Sequence, residues 1–329
     1  MKSFAGRRAL ITGGLGFVGS NLAHALVGLG AEVSIYDACL DPFGRNLANL
    51  EGIRERVLFV KGDIRDKEKV EETIKAVEPD LVFNCAAQVS HLDSMNNPLL
   101  DIDINCRGNM TVLEVCRKFA DGAKIIYAGT RAQIGRLKYS PIDEEHPSEP
   151  IDVYGIDKLA AEKYHRLYND VYGLRACSVV INNSYGPRHQ MKHRKYGILN
   201  WFIRLALEGK EISVYGDGRQ LRDYNYIDDV VDAMLLCAQE EKTNGQRYLL
   251  GSGKPIQFIE MVDKIIHTVG SGSRKRVPWP ADREAIETGD FFVSFEKIKR
   301  ELGWVPKTDF DEGLKKTVDF YKMHLQKYI

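Results

Sequence analysis

Short apolar runs alternating with amphipathic stretches of helical length constrain this chain more than any other feature. The runs are Ala9–Thr12, Glu32–Tyr36, Val57–Val60, Leu81–Cys85, Lys124–Ala128 and Ala176–Ile181. A strand that is apolar throughout is buried on both faces, and strands separated by crossover helices run parallel. The pattern predicts the α/β class, a Rossmann-type doubly wound parallel sheet over residues 1–183. After Asn183 the alternation weakens. A basic loop (Lys192–Lys195), a helical stretch (Leu199–Glu208), a Gly-rich turn (Tyr215–Gly218) and a Pro/Gly-containing stretch (Ser271–Pro280) suggest a smaller C-terminal α/β domain, 184–329. A segment near 224–240 is expected to return to the first domain. The smaller domain should close over the strand ends, where open α/β sheets bind ligands.

Composition narrows the function classes. Across 329 residues, 46 Lys and Arg balance 46 Asp and Glu, and the basic residues are scattered, which argues against nucleic acid as a partner. At 28% charged and 44% hydrophobic residues the chain has enough apolar surface to fold. No run approaches the roughly 18 apolar residues of a membrane span. The basic stub before the first strand lacks a small-residue cleavage site, so a cytoplasmic location and no membrane partner are expected. The six cysteines, Cys39, Cys85, Cys106, Cys116, Cys177 and Cys237, form no CxxC pair. They read as reduced core thiols, and no metal site is expected.

Chemistry begins at Gly13-Gly14-Leu15-Gly16-Phe17-Val18-Gly19, between the first strand and the helix expected over Ser20–Leu29. Glycines 13, 16 and 19 allow a tight turn, close approach of backbone N–H groups to a pyrophosphate, and close helix–strand packing. Asp37 ends the second strand, 18 residues after Gly19. A carboxylate there accepts from both ribose hydroxyls and repels a 2′-phosphate, which favours NAD over NADP. Asp63-Ile64 reads either as an adenine contact or, for Asp63, as the cap of the helix beginning at Asp66.

Tyr154 and Lys158, four residues apart, share one helix face. A phenol is a base at neutral pH only with a cation close by, which Lys158 can supply. Thr130, just past the strand Lys124–Ala128, can hold the substrate oxygen whose proton Tyr154 takes. Each alone has a plainer reading: a helix-surface pair, or a turn residue.

Taken together, Gly13-x-x-Gly16-x-x-Gly19, Asp37, Asp63-Ile64, Asn84-Cys85-Ala86-Ala87, Asn105-x-x-Gly108-Asn109, Thr130, Tyr154-x-x-x-Lys158, Asn183-x-Tyr185-Gly186-Pro187-Arg188 and Tyr215-Gly216-Asp217-Gly218-x-Gln220-x-Arg222-Asp223 resemble the extended short-chain dehydrogenase/reductases. The likeness is to their NAD-dependent nucleotide-sugar epimerase/dehydratase group. It implies a bound NAD held by Gly13, Gly16, Phe17, Val18, Gly19, Asp37, Asp63, Ile64, Ala86, Ala87, Gln88, Asn105, Tyr154 and Lys158. It implies catalysis by Thr130, Tyr154 and Lys158. For the nucleotide-sugar substrate it implies Gln88, His91, Thr130, Arg131, Asn183, Arg188, Tyr215, Arg222 and Asp290, with 184–329 as the main substrate domain.

Departures from the resemblance shape the reaction. Where 4,6-dehydratases of the group carry Asp-Glu after the threonine, this chain has Arg131-Ala132, which removes the acid and base of an elimination. The reading is therefore a redox-neutral epimerase, foremost a 4-epimerase of a UDP-sugar. The stretch Ala87–Ser94 resembles CDP-paratose 2-epimerases more closely; within it His91 and Asp93 are either site residues or polar loop residues at the pocket mouth. The residues also leave open a dehydratase using acids from elsewhere such as Asp93, a reductase, or a non-catalytic NAD-binding regulatory protein. Glu287-Thr288-Gly289-Asp290 replaces the group's Arg-x-Gly-Asp, so Arg222 would need support at the diphosphate from Arg188, Arg283 or Lys192. The stretches Pro98–Phe119 and Tyr154–Tyr172 carry apolar residues on more than one helix face, and the resemblance implies a homodimer formed through them.

Overall fold

The structure is a computed structural model and describes residues 3–41, 44–280 and 289–329. Its centre is a seven-stranded parallel sheet. The strands are β1 (Arg8–Thr12), β2 (Glu32–Asp37), β3 (Val57–Lys61), β4 (Leu81–Asn84), β5 (Lys124–Thr130), β6 (Arg175–Ile181) and, much later in the chain, Arg247–Leu249. The spatial order is Arg247–Leu249, β6, β5, β4, β1, β2, β3. The direction of winding reverses between β1 and β4, so the loops after these strands diverge and leave a crevice at their carboxyl ends.

The buried strands hold two cores, one per face. Ile11, Ile35, Phe83, Ile126 and Val179 belong to one cluster, whereas Leu10, Tyr36, Val82, Ile125 and Ala176 belong to the other. The period of two sends alternate side chains to opposite faces, which is why the inner strands read as continuously apolar; the edge strand β3 is only partly buried, and its Leu58 is 55% exposed. Helices α1 (Phe17–Gly28) and, from the C-terminal half, Ile227–Gln239 cover the first face. On the second lie α2 (Lys67–Val77), the run α3 (His91–Asn96), α4 (Pro98–Asp101), π-helical Ile102–Gly108 and α5 (Asn109–Phe119), and α6 (Val153–Tyr172). Each fully buried aliphatic side chain contributes about 1.5–3 kcal/mol.

The C-terminal half adds three small two-stranded units. β7 (Asn183–Tyr185) pairs with β10 (Tyr224–Tyr226), β8 (Glu211–Tyr215) with β13 (Ser273–Val277), and β9 (Leu221–Arg222) with β12 (Ile256–Gln257). The strand Arg247–Leu249 is β11 in this numbering, and it lies outside the six apolar runs. Along the chain α7 (Ile198–Leu207), α8 (the Ile227–Gln239 helix) and α9 (Phe258–Val269) follow. The first-face core runs on into this half through Leu199, Ile203, Ile212, Val214, Met261 and Leu314. The two halves therefore share one core: β11 extends the central sheet and α8 packs on its face. Among the described residues no helix is long and apolar enough to cross a membrane, and no His/Cys/Asp/Glu group is arranged to hold a metal ion. The six cysteines are free thiols.

Candidate functional site

A cavity of about 600 Å³ lies along the carboxyl ends of the strands and runs under the C-terminal half. One end is the turn from β1 into α1. Gly13 has φ +66°, and a Cβ there would lie 2.8 Å from the backbone of Ala86; at Gly19 it would lie 2.4 Å from the Gly13 carbonyl oxygen. Only glycine lets these backbones approach so closely. Gly16 is the N-cap of α1 and makes no side-chain cap bond, so the first N–H groups of the helix face the cavity edge where Phe17, Val18 and Gly19 line it. Asp37 stands at the end of β2, taking Leu15 N–H at 3.0 Å and Cys39 N–H at 2.8 Å. Burial raises its pKa, while the two backbone donors act against that. Asp63 and Ile64 line the same end. Asp66, not Asp63, caps α2, and Asp63 pairs with Arg65 at 2.6 Å. Ala86 and Ala87 follow β4, where Thr12 Oγ1 accepts from Ala86 N–H at 3.2 Å and pins the loop.

In the middle of the cavity are Thr130, Tyr154 and Lys158. Thr130 ends β5 and caps a short 3₁₀ turn in a reciprocal box with Gln133. Tyr154 sits in the first turn of α6, brought against that turn because Gly155 would otherwise place a Cβ 2.5 Å from the Ala132 carbonyl oxygen. Burial pushes the Tyr154 phenol well above its ordinary value, and its hydrogen bond with Thr130 and the charge of Arg131 oppose this. Lys158 is buried one turn on; its Nζ donates to the Ala128 carbonyl at 2.7 Å and lies 4.2 Å from the centre of the Tyr127 ring. Loss of hydration brings its pKa down to about 8. The buried phenol therefore needs added positive charge beside it to work as a base.

His91 opens α3 with its ring edge-on to Tyr154, 5.2 Å between centroids, and its Nδ1 is hydrogen-bonded to Asp152. Asp152 is also the N-cap of α6, accepting from Gly155 N–H at 2.7 Å. The sequence reading missed Asp152, although a carboxylate just ahead of the Tyr154 helix is a recognisable cap. Asp93 pairs instead with Lys195, 2.7 Å away.

The far end is aromatic. Tyr215 and Trp279 lie 5.3 Å apart with Phe258 nearby, and Arg222, Asn183, Tyr224 and Phe291 line the path back to Thr130. Trp279, Tyr224 and Phe291 carried no local signal in the sequence.

Four residues expected at the site do not line the cavity. Gln88 is 2% exposed, its Nε2 donating to Asp101 at 2.7 Å and to Ser90 O at 2.9 Å. Asn105 bonds to Gln88 O and to Asp101, so both amides back the wall instead of facing the crevice. Arg188 turns to Asn21 Oδ1 at 2.9 Å, over the ring of Phe320. Asp290 accepts from Leu221 N–H at 2.8 Å and ties down β9. Lys192, too, is not among the lining residues. Arg283, Glu287 and Thr288 lie outside the described residues.

Residues 10–317 match the GDP-mannose 4,6-dehydratase family. A Methanocaldococcus jannaschii protein provisionally named a UDP-glucose 4-epimerase is 33% identical over 95% of this chain and 98% of its own length. A dTDP-glucose 4,6-dehydratase of Xanthomonas campestris is 30% identical over 95% of this chain and 92% of its own. The solved UDP-glucose 4-epimerase of Thermotoga maritima, with UDP-glucose, superposes with a TM-score of 0.87 at 30% identity, covering 96% of this chain and 99% of that one. With the glycine turn, the threonine–tyrosine–lysine set and this match over nearly its whole length, the chain belongs to the GDP-mannose 4,6-dehydratase family, the extended short-chain dehydrogenase/reductases that epimerise or dehydrate nucleotide sugars.

Proposed function

We propose that the chain is an NAD-dependent nucleotide-sugar epimerase that inverts C4 of a UDP-sugar. The observation that carries the reading is what stands around Tyr154. Arg131 and Ala132 follow Thr130, and the carboxylates on described lining residues are Asp37 and Asp63 at the glycine-turn end and Asp152, which is held by His91 and Gly155 N–H. An elimination needs a positioned acid and base besides the tyrosine; a reversible oxidation does not.

The fit of NAD rests on the turn that Gly13 and Gly19 keep free of Cβ atoms and on the buried Asp37 at the end of β2. Gly16, Phe17, Val18 and Gly19 would meet the pyrophosphate, and Asp37 the ribose hydroxyls. Bound NAD supplies a hydride acceptor that later returns the hydride. Thr130 holds the sugar hydroxyl, Tyr154 takes its proton as the C–H hydride leaves and gives it back on reduction, and Lys158 supplies positive charge that favours the phenolate. Arg222 and Asn183 hold the diphosphate side of the substrate, and the Tyr215 end takes the nucleoside.

The same reading includes a homodimer through α4–α5 and α6. Leu99 is 74% and Val171 60% exposed, and Met95, Ile102, Ile156 and Leu167 extend this apolar surface. Light scattering at micromolar concentration should give twice the chain mass; a monomer would refute the dimer.

The function is tested by incubating the protein with UDP-, CDP-, GDP- and dTDP-sugars in deuterated water and reading the products by NMR. The expected product is the C4 epimer of a UDP-sugar with no deuterium on carbon. Deuterium at the inverted centre, or a product lighter by one water, would overturn epimerisation by hydride return.

A further inference from the structure

Between the reacting pair and the aromatic end, two guanidinium groups are gathered at one place in the cavity. Arg131 directly follows Thr130. Its Nε donates to Asn183 Oδ1 at 3.0 Å, and its guanidinium carbon lies 5.1 Å from the centre of the Phe291 ring. Arg222 reaches the same place from β9. Its backbone is bridged to Phe291, whose N–H donates to Leu221 O at 3.1 Å, and its Nη1 donates to Leu221 O and Gly289 O. Asn183 closes the set: its Nδ2 donates to the carbonyl of Asp223, the residue after Arg222, at 3.1 Å. Both arginines face Tyr224; burial raises that phenol, and Arg222 and then Arg131 act against it. From Arg222 the wall continues through Phe258, whose N–H donates to the Gln220 carbonyl, to Tyr215 and Trp279.

This order along the wall, proton-transfer pair, two arginines, aromatic pair, matches the order of a nucleotide sugar: sugar, diphosphate, base. We propose that Arg131 is a substrate-specificity residue that clasps, together with Arg222, the diphosphate of the nucleotide sugar, Arg131 taking the phosphoryl group attached to the sugar. The assignment rests on the nucleotide-sugar reading. Of the supports expected for Arg222, Arg188 is turned onto Asn21 and Lys192 does not line the cavity, whereas Arg131 stands beside Asn183 and Phe291. A planar guanidinium held at Nε and along one face by an aromatic ring is oriented for forked hydrogen bonds to a phosphoryl group. The placement also means that the residue after Thr130 anchors the substrate and moves no proton itself, so its loss should act mainly on binding, with a smaller effect on the chemical step through the charge it lends to Tyr154.

The test compares wild type, Arg131→Gln and Arg131→Lys by calorimetry with UDP, CDP, GDP and dTDP and with the four corresponding monophosphates. Retained NAD⁺ binding and an unchanged melting temperature serve as the control for folding. For the diphosphate that wild type binds, Arg131→Gln should weaken affinity about 10- to 100-fold, as loss of a charge-assisted contact does. The monophosphate should be little changed, Arg131→Lys should fall between, and KM for the active sugar should rise by a larger factor than kcat falls. Equal loss on diphosphate and monophosphate, or no loss on either, would overturn the clasp while leaving the nucleotide-sugar reading intact. If wild type binds none of the four diphosphates, the reading and the clasp fall together.

Discussion

The two ends of the cavity are built in opposite ways. At the glycine turn, the site is made by one stretch of chain and its immediate neighbours. Gly13, Gly16 and Gly19 lie within seven residues, and the space they leave is set by backbone contacts to Ala86 and to Gly13 itself. At the aromatic end, Asn183, Tyr215, Arg222, Trp279 and Phe291 come from five separate segments. They are joined by strands of two to five residues, β7 with β10, β9 with β12 and β8 with β13. A backbone-made site tolerates almost no added atom, whereas a side-chain-made site can be rebuilt residue by residue. Within one fold the first suits a ligand part common to many substrates, and the second a part that varies.

The reacting group between the two ends should give the largest effect. Tyr154→Phe removes one hydroxyl from a buried ring and should lower kcat by about 10²- to 10⁴-fold while NAD⁺ and nucleoside diphosphate binding persist. Near wild-type turnover in steady-state assays would dismiss Tyr154 as the base. Next comes the backbone-made end. Gly19→Ala puts a Cβ 2.4 Å from the Gly13 carbonyl oxygen and should abolish measurable NAD⁺ binding and lower the melting temperature. The larger change Trp279→Phe at the other end should alter only substrate KM, by several-fold. If both changes were equally mild, the contrast between the two ends would fail.

A smaller effect is expected at Asp152. Asparagine caps a helix as well as aspartate does, so Asp152→Asn should leave the melting temperature alone. Losing the charge that holds His91 beside Tyr154 should cost about tenfold in kcat. A drop in melting temperature with unchanged kcat would make Asp152 a cap only.

The smallest effect lies behind the site. Asp157 and Asp101 are buried side by side and hydrogen-bonded, Asp157 Oδ2 has no partner, and burial and Asp101 push the Asp157 carboxyl up to about 7. The folded chain then holds a proton that the unfolded chain releases near pH 4. This contribution favours folding below about pH 4 and is lost as pH rises to about 7. Asp157→Asn should flatten that slope and raise the melting temperature at pH 8 by about 1.5 °C per kcal/mol recovered in a chain of 329 residues. An unchanged pH dependence of melting would show that the pair is not titrating.

How much of this was legible in the sequence follows the same division. The six apolar runs announced six strands because burial on both faces demands apolar residues at every position of the inner strands; the edge strand β3 is apolar as well although its Leu58 is exposed. Arg247–Leu249 could not be read in this way: three residues at a sheet edge leave no periodic signal, and their pairing with β6 depends on chain returning from far away. Gly13, Gly16, Gly19 and Asp37 could be read directly, since local backbone geometry dictates both residue type and spacing. Tyr154 and Lys158 were legible as a helix pair, but only the fold brought Thr130, His91 and Asp152 around them. Gln88 and Asn105 were expected as contacts because the family resemblance implied them; their amides turn inward because Asp101 is buried there and requires donors. The six strands, the glycine turn and the Tyr154–Lys158 pair thus follow from the order of amino acids, all of them set by burial period or by contacts a few residues apart. It took the assembled fold to draw Arg188 out of the cavity and to bring Arg131 to Arg222 across Phe291, because a long side chain's destination depends on which distant segment offers it a partner.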